Sequence, residues 1–190
     1  MNFRIGYGYD VHRLAEGETL WLGGVLVPHS KGTVAHSDGD VLIHALCDAM
    51  LGAAKMGDIG RHFPDTSSDF KNIDSKILLL RTNELIATKN YMVGNLDVTV
   101  AAQNPKLKPY IPEMEKTLAE ILGIDIDAVS IKATTTEELG FEGREEGISV
   151  HAVVLLVSTF VDSVLKGLDD SLEGQVNTVE EAKQKLKKWL

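Results

Sequence analysis

The chain has 190 residues, of which 44% are hydrophobic and 25% charged, with a formal net charge of −9 at pH 7. This length and apolar content suit one domain with its own core. The acidic balance argues against broad nucleic-acid binding, because there is no basic surplus to neutralise phosphates. A single cysteine excludes an internal disulfide framework. No apolar run reaches the length of a membrane span and no signal core is visible, so we expect a cytoplasmic protein that does not bind membranes.

The first predicted element is a strand over residues 3–12 with strictly alternating side chains. Its apolar residues point to one side, whereas Asp10 and His12 share the other side with Gly6 and Gly8, which leave open space beside them. Such an Asp-x-His pair places a carboxylate oxygen and an imidazole within reach of one ion. The competing interpretation is a polar strand face in solvent.

A turn of polar residues leads into an apolar helix predicted for residues 40–55. His44 lies on the second turn of this helix, and Asp40 and Asp48 lie four residues either side of it, on the same face. We expect one of these carboxylates to orient the His44 ring. The plainer interpretation is a satisfied histidine at the edge of a core.

Together, the strand and the helix offer the ligands of a metal site. Asp10, His12 and His44 would supply one oxygen and two nitrogens and leave a fourth tetrahedral position open, which is the catalytic pattern of zinc. Cys47 lies one turn from His44 and could be a stray ligand, but a small buried core residue is the favoured interpretation.

The remaining pattern predicts a single α/β (α+β) domain with a mixed four-stranded sheet covered by helices, plus a β-hairpin. The predicted strands are residues 3–12, 95–102, 129–133 and 147–157, the hairpin is 19–27, and the main helices are 40–55, 75–88 and 112–122. Residues 28–34 and 61–74 are predicted to be loops. The strand 147–157 is nearly continuously apolar, which predicts burial on both faces.

Two polar loops are candidates for phosphate contacts. Lys106 and Lys108 could meet phosphate or simply water, and the solvent-exposed interpretation is preferred. Residues 134–144 place three consecutive hydroxyls beside an acid and an arginine, which indicates either a phosphate and metal-ion surface or a plain polar turn.

Six motifs stand in order along the chain: Gly6-x-Gly8-x-Asp10-Val11-His12, Ala35-His36-Ser37-Asp38-Gly39-Asp40, Gly57-Asp58-Ile59-Gly60, Phe63-Pro64-Asp65, Lys132-Ala133-Thr134-Thr135-Thr136-Glu137 and Gly140-Phe141-x-Gly143-Arg144-x-Glu146-Gly147. With these motifs, residues 3–159 closely resemble the 2-C-methyl-D-erythritol 2,4-cyclodiphosphate synthase family of the non-mevalonate isoprenoid pathway. Six motifs in this order are far more specific evidence for the family than any single motif.

The resemblance implies a homotrimer with active sites between neighbouring subunits. The substrate would be 4-diphosphocytidyl-2-C-methyl-D-erythritol 2-phosphate, which is cyclised with release of CMP. Zinc would be held by the three ligands inferred above, and a second divalent ion, magnesium or manganese, would be held with help from Glu137. His36 and Thr135 would stabilise the transition state. A cavity on the trimer axis, near Phe141 and Arg144, would take isoprenoid-type diphosphates.

By the same resemblance, the substrate contacts extend along five stretches of the chain. They are Asp10, His12, His36, Ser37, Asp58, Gly60, Phe63, Pro64, Asp65, Thr66, Ser67, Ala102, Gln103, Asn104, Pro105, Lys106, Leu107, Lys108, Thr134, Thr135, Thr136, Glu137, Phe141 and Arg144. Residues 63–67 would form a flexible flap over the methylerythritol part, and residues 102–108 and 134–137 would hold the CMP part.

The resemblance covers a synthase domain of residues 1–160 and leaves a C-terminal extension, 161–190. A capping box at residues 178–181 opens an amphipathic helical pattern, and we expect this helix to dock on the trimer surface. Two other functions remain: a zinc-dependent phosphohydrolase, and a non-catalytic trimer that binds isoprenoid diphosphates. The presence of His36, Thr135 and Glu137 argues against the second of these.

Overall fold

The framework of the fold is a five-stranded sheet. The computed structural model describes residues 3–64, 66–67, 70, 72–159 and 181. The strands are β1 (Phe3–Glu16), β2 (Trp21–Leu22), β3 (Val25–Leu26), β4 (Lys31–Thr33), β5 (Tyr91–Ala101), β6 (Val129–Thr134) and β7 (Gly147–Ser158). The large sheet has the order β4-β1-β7-β5-β6, and β2 pairs with β3 in a separate hairpin. Strands β5 and β6 are parallel, whereas the other neighbours in the large sheet are antiparallel.

Helices cover one face of this sheet. They are α1 (Val41–Ala53), α2 (Ile59–His62), α3 (Ser75–Ala87), α4 (Ile111–Leu122) and α5 (Gly140–Gly143). Helix α1 packs on β1 and β7, α3 packs on α1 and β5, and α4 packs on β6. Alternate residues of β7 from Ile148 to Leu156 are fully buried beneath the helices. The predicted single mixed α/β domain is therefore confirmed.

The predicted count of four strands is wrong, because β4 adds a fifth strand at the edge. It lies in the segment predicted to be a loop, and it pairs antiparallel with the end of β1, with Leu14 opposite Thr33. Its three residues have no apolar alternation, so only the neighbouring strand identifies it. Helix α2 was not predicted either: it overlaps the start of the predicted loop 61–74 and is only four residues long.

The sequence predicted open space beside the two glycines of β1, and this prediction is wrong. A Cβ atom added to Gly6 would lie 1.8 Å from the carbonyl oxygen of Ala49, and one added to Gly8 would lie 1.9 Å from that of Ala45. The glycines thus let the backbone of α1 lie directly on β1. This close approach brings the helix that carries His44 onto the strand that carries the other two predicted ligands.

The apolar side of β1 faces away from the helices. Its side chains are exposed by 44% to 68% of their surface, and they are Phe3, Ile5, Tyr7, Tyr9 and Val11. Val153 of β7 lies opposite Tyr7 and is 42% exposed. The prediction that β7 is buried on both faces is therefore wrong for this chain by itself, and the sheet has an uncovered apolar face.

The predicted C-terminal extension, 161–190, lies outside the described residues except for residue 181. Asp65 of the predicted flap also lies outside them. Within the part of the chain that is described, the helices do not combine the length and apolar character that crossing a membrane requires.

Candidate active site

Three predicted ligands from two elements converge beside the N-terminal half of α1. The Asp10 Oδ2 atom lies 3.1 Å from His12 Nε2 and 3.4 Å from His44 Nδ1. The two ring nitrogens are 3.3 Å apart. One oxygen and two imidazole nitrogens therefore point at a common centre, and all three ligand atoms lie within 4.8 Å of one another.

The contacts behind the two rings determine which nitrogen of each ring is free. The Nδ1 atom of His12 lies 3.2 Å from the carbonyl oxygen of Gly39, which can only accept, so this nitrogen carries the hydrogen and Nε2 is left bare. The Nε2 atom of His44 lies 3.0 Å from Ser75 Oγ and 3.2 Å from Ser37 Oγ. With its hydrogen on that side, His44 presents a bare Nδ1 to the centre.

The charge at the centre suits a divalent cation. In the metal-free chain, partial burial raises the pKa of the Asp10 carboxyl, but its contacts and charge interactions with His12 and His44 outweigh this effect and hold the pKa well below its usual range. The carboxylate is thus ionised at neutral pH. An anionic oxygen with two bare imidazole nitrogens is a donor set that fits zinc and leaves room for a further ligand.

The expectation that Asp40 or Asp48 orients the His44 ring is not supported by their contacts. Asp40 is fully buried and accepts hydrogen bonds from the backbone N–H groups of Gly23, Gly24 and Ile43, so it caps α1 and ties the hairpin to it. Its position at the N-cap directs its side chain over the end of the helix and away from His44, four residues later.

Asp48 is likewise engaged elsewhere. Its Oδ1 atom accepts a hydrogen bond of 2.7 Å from the backbone N–H of Ile59, at the start of α2. Partial burial, together with the charges of Asp10 and Asp58, raises the pKa of Asp48, although the Ile59 N–H and a weaker charge interaction with His44 oppose this shift. Cys47 is fully buried, which confirms that it is a core residue, and burial raises the pKa of its thiol to about 12.

The triad lies in a cleft of about 390 Å³, within the size range of small-ligand sites. Predicted site residues that line it are Asp10, His12, His36, Ser37, His44, Gly60 and Phe63. The His36 Nε2 atom lies 3.2 Å from the backbone oxygen of Ser67, so a residue of the predicted flap contacts the edge of the ring. Asp58 is outside this lining and caps α2 through the N–H of Arg61 at 2.9 Å.

The sequence did not predict the rest of the cleft wall as substrate contacts, although Asp48 was expected beside His44. The additional lining residues are Val34, Ala35, Asp48, Ile59, Phe70, Ile73 and Leu78. Most of these residues are apolar and come from the segment around α2 and α3. No local pattern separates them from core residues, since they are recognisable only once α3 is placed against α1.

A second groove, of about 370 Å³, lies along the carboxyl ends of β5 and β6. Its lining contains Ala102, Gln103, Pro105, Lys106, Leu107, Lys108, Thr134 and Thr135 from the prediction, with Ile111, Lys132 and Ala133 added. Among the described residues, it shares no lining residue with the triad cleft. One chain thus holds two separate parts of the predicted site.

The remaining predicted residues flank the second groove. Thr135 donates a hydrogen bond of 2.8 Å to the Glu137 carboxylate. Asn104 lies outside the groove lining and donates to Glu145 Oε1 at 2.5 Å. The hydroxyl of Thr136 donates to the backbone oxygen of Leu139.

Two further predicted residues lie beyond the groove, at the turn before β7. The Phe141 ring packs against Gly147, where an added Cβ would lie 3.2 Å from it. Arg144 forms an exposed ion pair of 2.9 Å with Glu146. Neither residue lines the triad cleft or the second groove.

Comparison with known proteins gives the same family throughout. The YgbB family model matches residues 3–157. The chain is 63% identical over 156 residues to the 2-C-methyl-D-erythritol 2,4-cyclodiphosphate synthase of Bacteroides fragilis, which covers 82% of this chain and 98% of the relative. The synthase of Azotobacter vinelandii is 59% identical over 155 residues, covering 82% of this chain and 99% of the relative.

Solved structures agree with the sequence relatives. The bifunctional IspDF from Campylobacter jejuni matches with a TM-score of 0.80 and 44% identity, covering 83% of this chain but 42% of that longer protein. A 2C-methyl-D-erythritol-2,4-cyclodiphosphate synthase in a CDP-bound form matches with a TM-score of 0.75 and 36% identity, covering 81% of this chain and all of its own.

Together with the Asp–His–His triad, these relatives define the class of this protein: it is an enzyme that acts as a lyase on phosphorus–oxygen bonds in isoprenoid synthesis. The chain belongs to the YgbB family.

Proposed function

We propose that this chain converts 4-diphosphocytidyl-2-C-methyl-D-erythritol 2-phosphate to 2-C-methyl-D-erythritol 2,4-cyclodiphosphate, with release of CMP, in the non-mevalonate isoprenoid pathway. The observation that carries the proposal is the 63% identity to a synthase of that name along 82% of the chain. The converged Asp10, His12 and His44 ligand atoms give that relationship a chemical site.

The reaction is an internal phosphoryl transfer. An oxygen of the 2-phosphate attacks the β-phosphorus and forms a new P–O bond, while the bond from the β-phosphorus to the oxygen of the α-phosphate breaks. CMP leaves with that oxygen, and water does not enter the products. Two negatively charged phosphates must approach in line, so positioning and charge neutralisation account for most of the catalysis.

The metal proposed for the triad is zinc, since two imidazole nitrogens and one carboxylate oxygen suit it. When bound, it would supply Lewis-acid neutralisation of phosphate charge. A second divalent ion, magnesium or manganese, is proposed at Glu137, whose carboxylate stands beside the Thr135 hydroxyl. Oxygen ligands of this kind suit hard cations.

The side chains around the triad have distinct roles in the proposal. His36 and Ser37 line the triad cleft and can donate hydrogen bonds to phosphate oxygens there. Thr135 would stabilise the transition state together with His36, and the second groove, which Thr135, Lys106 and Lys108 line, would hold the CMP half. Gly60 and Phe63 shape the wall around the methylerythritol part.

We further propose a homotrimer in which the triad cleft of one subunit faces the second groove of its neighbour. Two observations support it: the cleft and the groove are separate in one chain, and the apolar face of β1 is uncovered. An axial cavity near Arg144 would then bind isoprenoid-type diphosphates. A cytoplasmic location and a synthase domain of residues 1–160 complete the proposal.

The proposed function is tested by product analysis. The purified chain is incubated with the diphosphocytidyl substrate, zinc and magnesium, while phosphorus resonances and free CMP are followed together. We expect a cyclic diphosphate and CMP in equal amounts. His44→Ala should abolish both and lose bound zinc, whereas His29→Ala is the matched control, because the Nε2 atom of His29 has no hydrogen-bond partner.

The other outcomes each overturn the proposal in a different way. CMP with an open-chain phosphate would mean that water is the nucleophile and the enzyme is a phosphohydrolase. No CMP from a zinc-loaded trimer would overturn the enzymatic proposal for this substrate.

A further inference from the structure

The hydrogen bond behind His44 continues to a carboxylate that the mechanism does not use. Ser75 is fully buried at the first turn of α3, and its Oγ atom lies 3.0 Å from His44 Nε2. The same hydroxyl donates a short hydrogen bond to Asp38 Oδ1. The connected groups are therefore an imidazole, a hydroxyl and a carboxylate, from α1, α3 and the turn before α1.

The donors around Asp38 determine the direction of these bonds. Its Oδ2 atom accepts from the backbone N–H of Ser75 at 2.8 Å, and its Oδ1 atom accepts from the N–H of Asp40 at 3.2 Å as well as from the Ser75 hydroxyl. An ionised carboxylate can only accept. The hydroxyl hydrogen of Ser75 is therefore directed to Asp38, and its oxygen is left to accept the hydrogen of His44 Nε2.

We propose that Asp38 and Ser75 are positioning residues that hold His44 in the tautomer with a hydrogen on Nε2 and a bare Nδ1 for the metal. The proposal rests on the metal site proposed above and adds to it the groups that orient one ligand. Ligating histidines commonly donate their second ring N–H to such a partner, which fixes the ring and its tautomer. Here the carboxylate acts through an intervening serine.

Replacing Asp38 by asparagine reverses the direction of two hydrogen bonds, the one between residue 38 and the Ser75 hydroxyl and the one between that hydroxyl and His44. In the orientation that keeps the Ser75 N–H paired with an oxygen, the amide NH₂ faces the Ser75 hydroxyl. The hydroxyl must then accept from the amide and donate to His44 Nε2. That change moves the ring hydrogen to Nδ1, where it points at Asp10 and occupies the position that the metal needs.

The test uses the full-length chain freed of metal with a chelator. Zinc affinity is measured by competition with a chromophoric chelator for the wild type, Asp38→Asn, Ser75→Ala and a control, Asp74→Ala. Asp74 caps α3 through the N–H of Lys76, so its loss disturbs the same helix end without touching His44. We expect the first two variants to raise the zinc dissociation constant by about 10- to 100-fold, and the control to leave it unchanged.

A second measurement does not depend on metal. Long-range ¹H–¹⁵N spectra of the metal-free chain report which ring nitrogen of His44 carries the hydrogen. The wild type should show it on Nε2, and Asp38→Asn should move it to Nδ1. Wild-type tautomer and wild-type affinity in both variants would overturn the positioning role alone, whereas a wild-type chain that binds no zinc would overturn the metal site itself.

Discussion

Asp40 is a carboxylate next to the candidate metal centre whose contacts serve the fold. It accepts from Ile43 at the start of α1 and from Gly23 and Gly24 in the hairpin. Asp40→Ala should lower the free energy of unfolding by about 2–4 kcal/mol, because a helix cap and two buried donors lose their acceptor together. Urea denaturation measures this loss, and zinc affinity of the folded variant should match the wild type. A large loss of affinity with normal stability would contradict the structural role.

The burial of Asp40 also predicts a pH dependence of stability. Burial raises its pKa, although hydrogen bonds from Gly24, Ile43 and Gly23 oppose the shift. The folded state therefore holds this proton more tightly than the unfolded state, whose carboxyl has a pKa near 3.8. The contribution of the protonated form is complete below that value and is lost as pH rises through the raised folded pKa. Asp40→Asn should flatten this fall in denaturation profiles measured from about pH 4 upward.

At the level of single residues, the sequence was sufficient to predict the triad but not the residues that contact its histidines from behind. Asp10 and His12 share one side of a strand, and His44 is fixed on a helix, so local periodicity points to all three. Ser75 is different because it is distant in sequence and meets His44 only through the packing of α3 on α1. The spacing of four residues suggested Asp40 and Asp48, but backbone N–H groups compete for those carboxylates.

The contact between β1 and α1 is the element on which the site depends. Gly8→Ala should force the helix backbone away from the strand, since the added Cβ would lie 1.9 Å from the Ala45 oxygen. We expect a loss of at least about 1–3 kcal/mol in unfolding free energy, as for overpacked cores. Zinc affinity should fall as well, because His44 moves with the helix.

Gly52→Ala provides the matched control for that substitution. Gly52 lies in the same helix, and an added Cβ meets nothing within 4 Å. It should stabilise the chain slightly, by about 0.5–1 kcal/mol, since glycine is costly inside a helix. Equal stability of Gly8→Ala and the wild type would show that the close contact is not required.

The secondary-structure elements were predictable where their periodicity is strong. The helices α1, α3 and α4 match their predicted spans within two residues, because each has an apolar stripe and clear end signals. Strand β4 has neither, and α2 is too short to show a period. The burial of β7 was overestimated because an apolar run does not tell whether its second face is covered within the same chain or by another one.

At the scale of the whole molecule, the family match and the chain have different lengths. The match ends at residue 157, and the predicted site residues all precede residue 145. Removing residues 161–190 should therefore leave the turnover number unchanged within about twofold, well below the loss from removing a catalytic group. Thermal unfolding of the two forms tests the predicted docking of the 178–190 helix, since a docked helix should raise the melting temperature. Loss of activity on truncation would contradict a synthase domain of residues 1–160.

The uncovered apolar face of β1 allows the proposed trimer to be tested by measuring the oligomeric state. Ile5 is 68% exposed on this face, and an arginine there would place a charge where the proposed trimer excludes water. Light scattering after size-exclusion chromatography should give the mass of three chains for the wild type and a smaller mass for Ile5→Arg. Activity should fall with the mass, because the triad cleft would lose the neighbouring groove.

Ile126→Arg separates this effect from a general loss of solubility. Ile126 is 48% exposed on the short 3-10 turn before β6, away from the β1 face, so the control should keep both mass and activity. A wild-type mass of one chain would overturn the trimer. An unchanged mass for Ile5→Arg would show that another surface joins the subunits, and the two parts of the site would then have to meet across that surface instead.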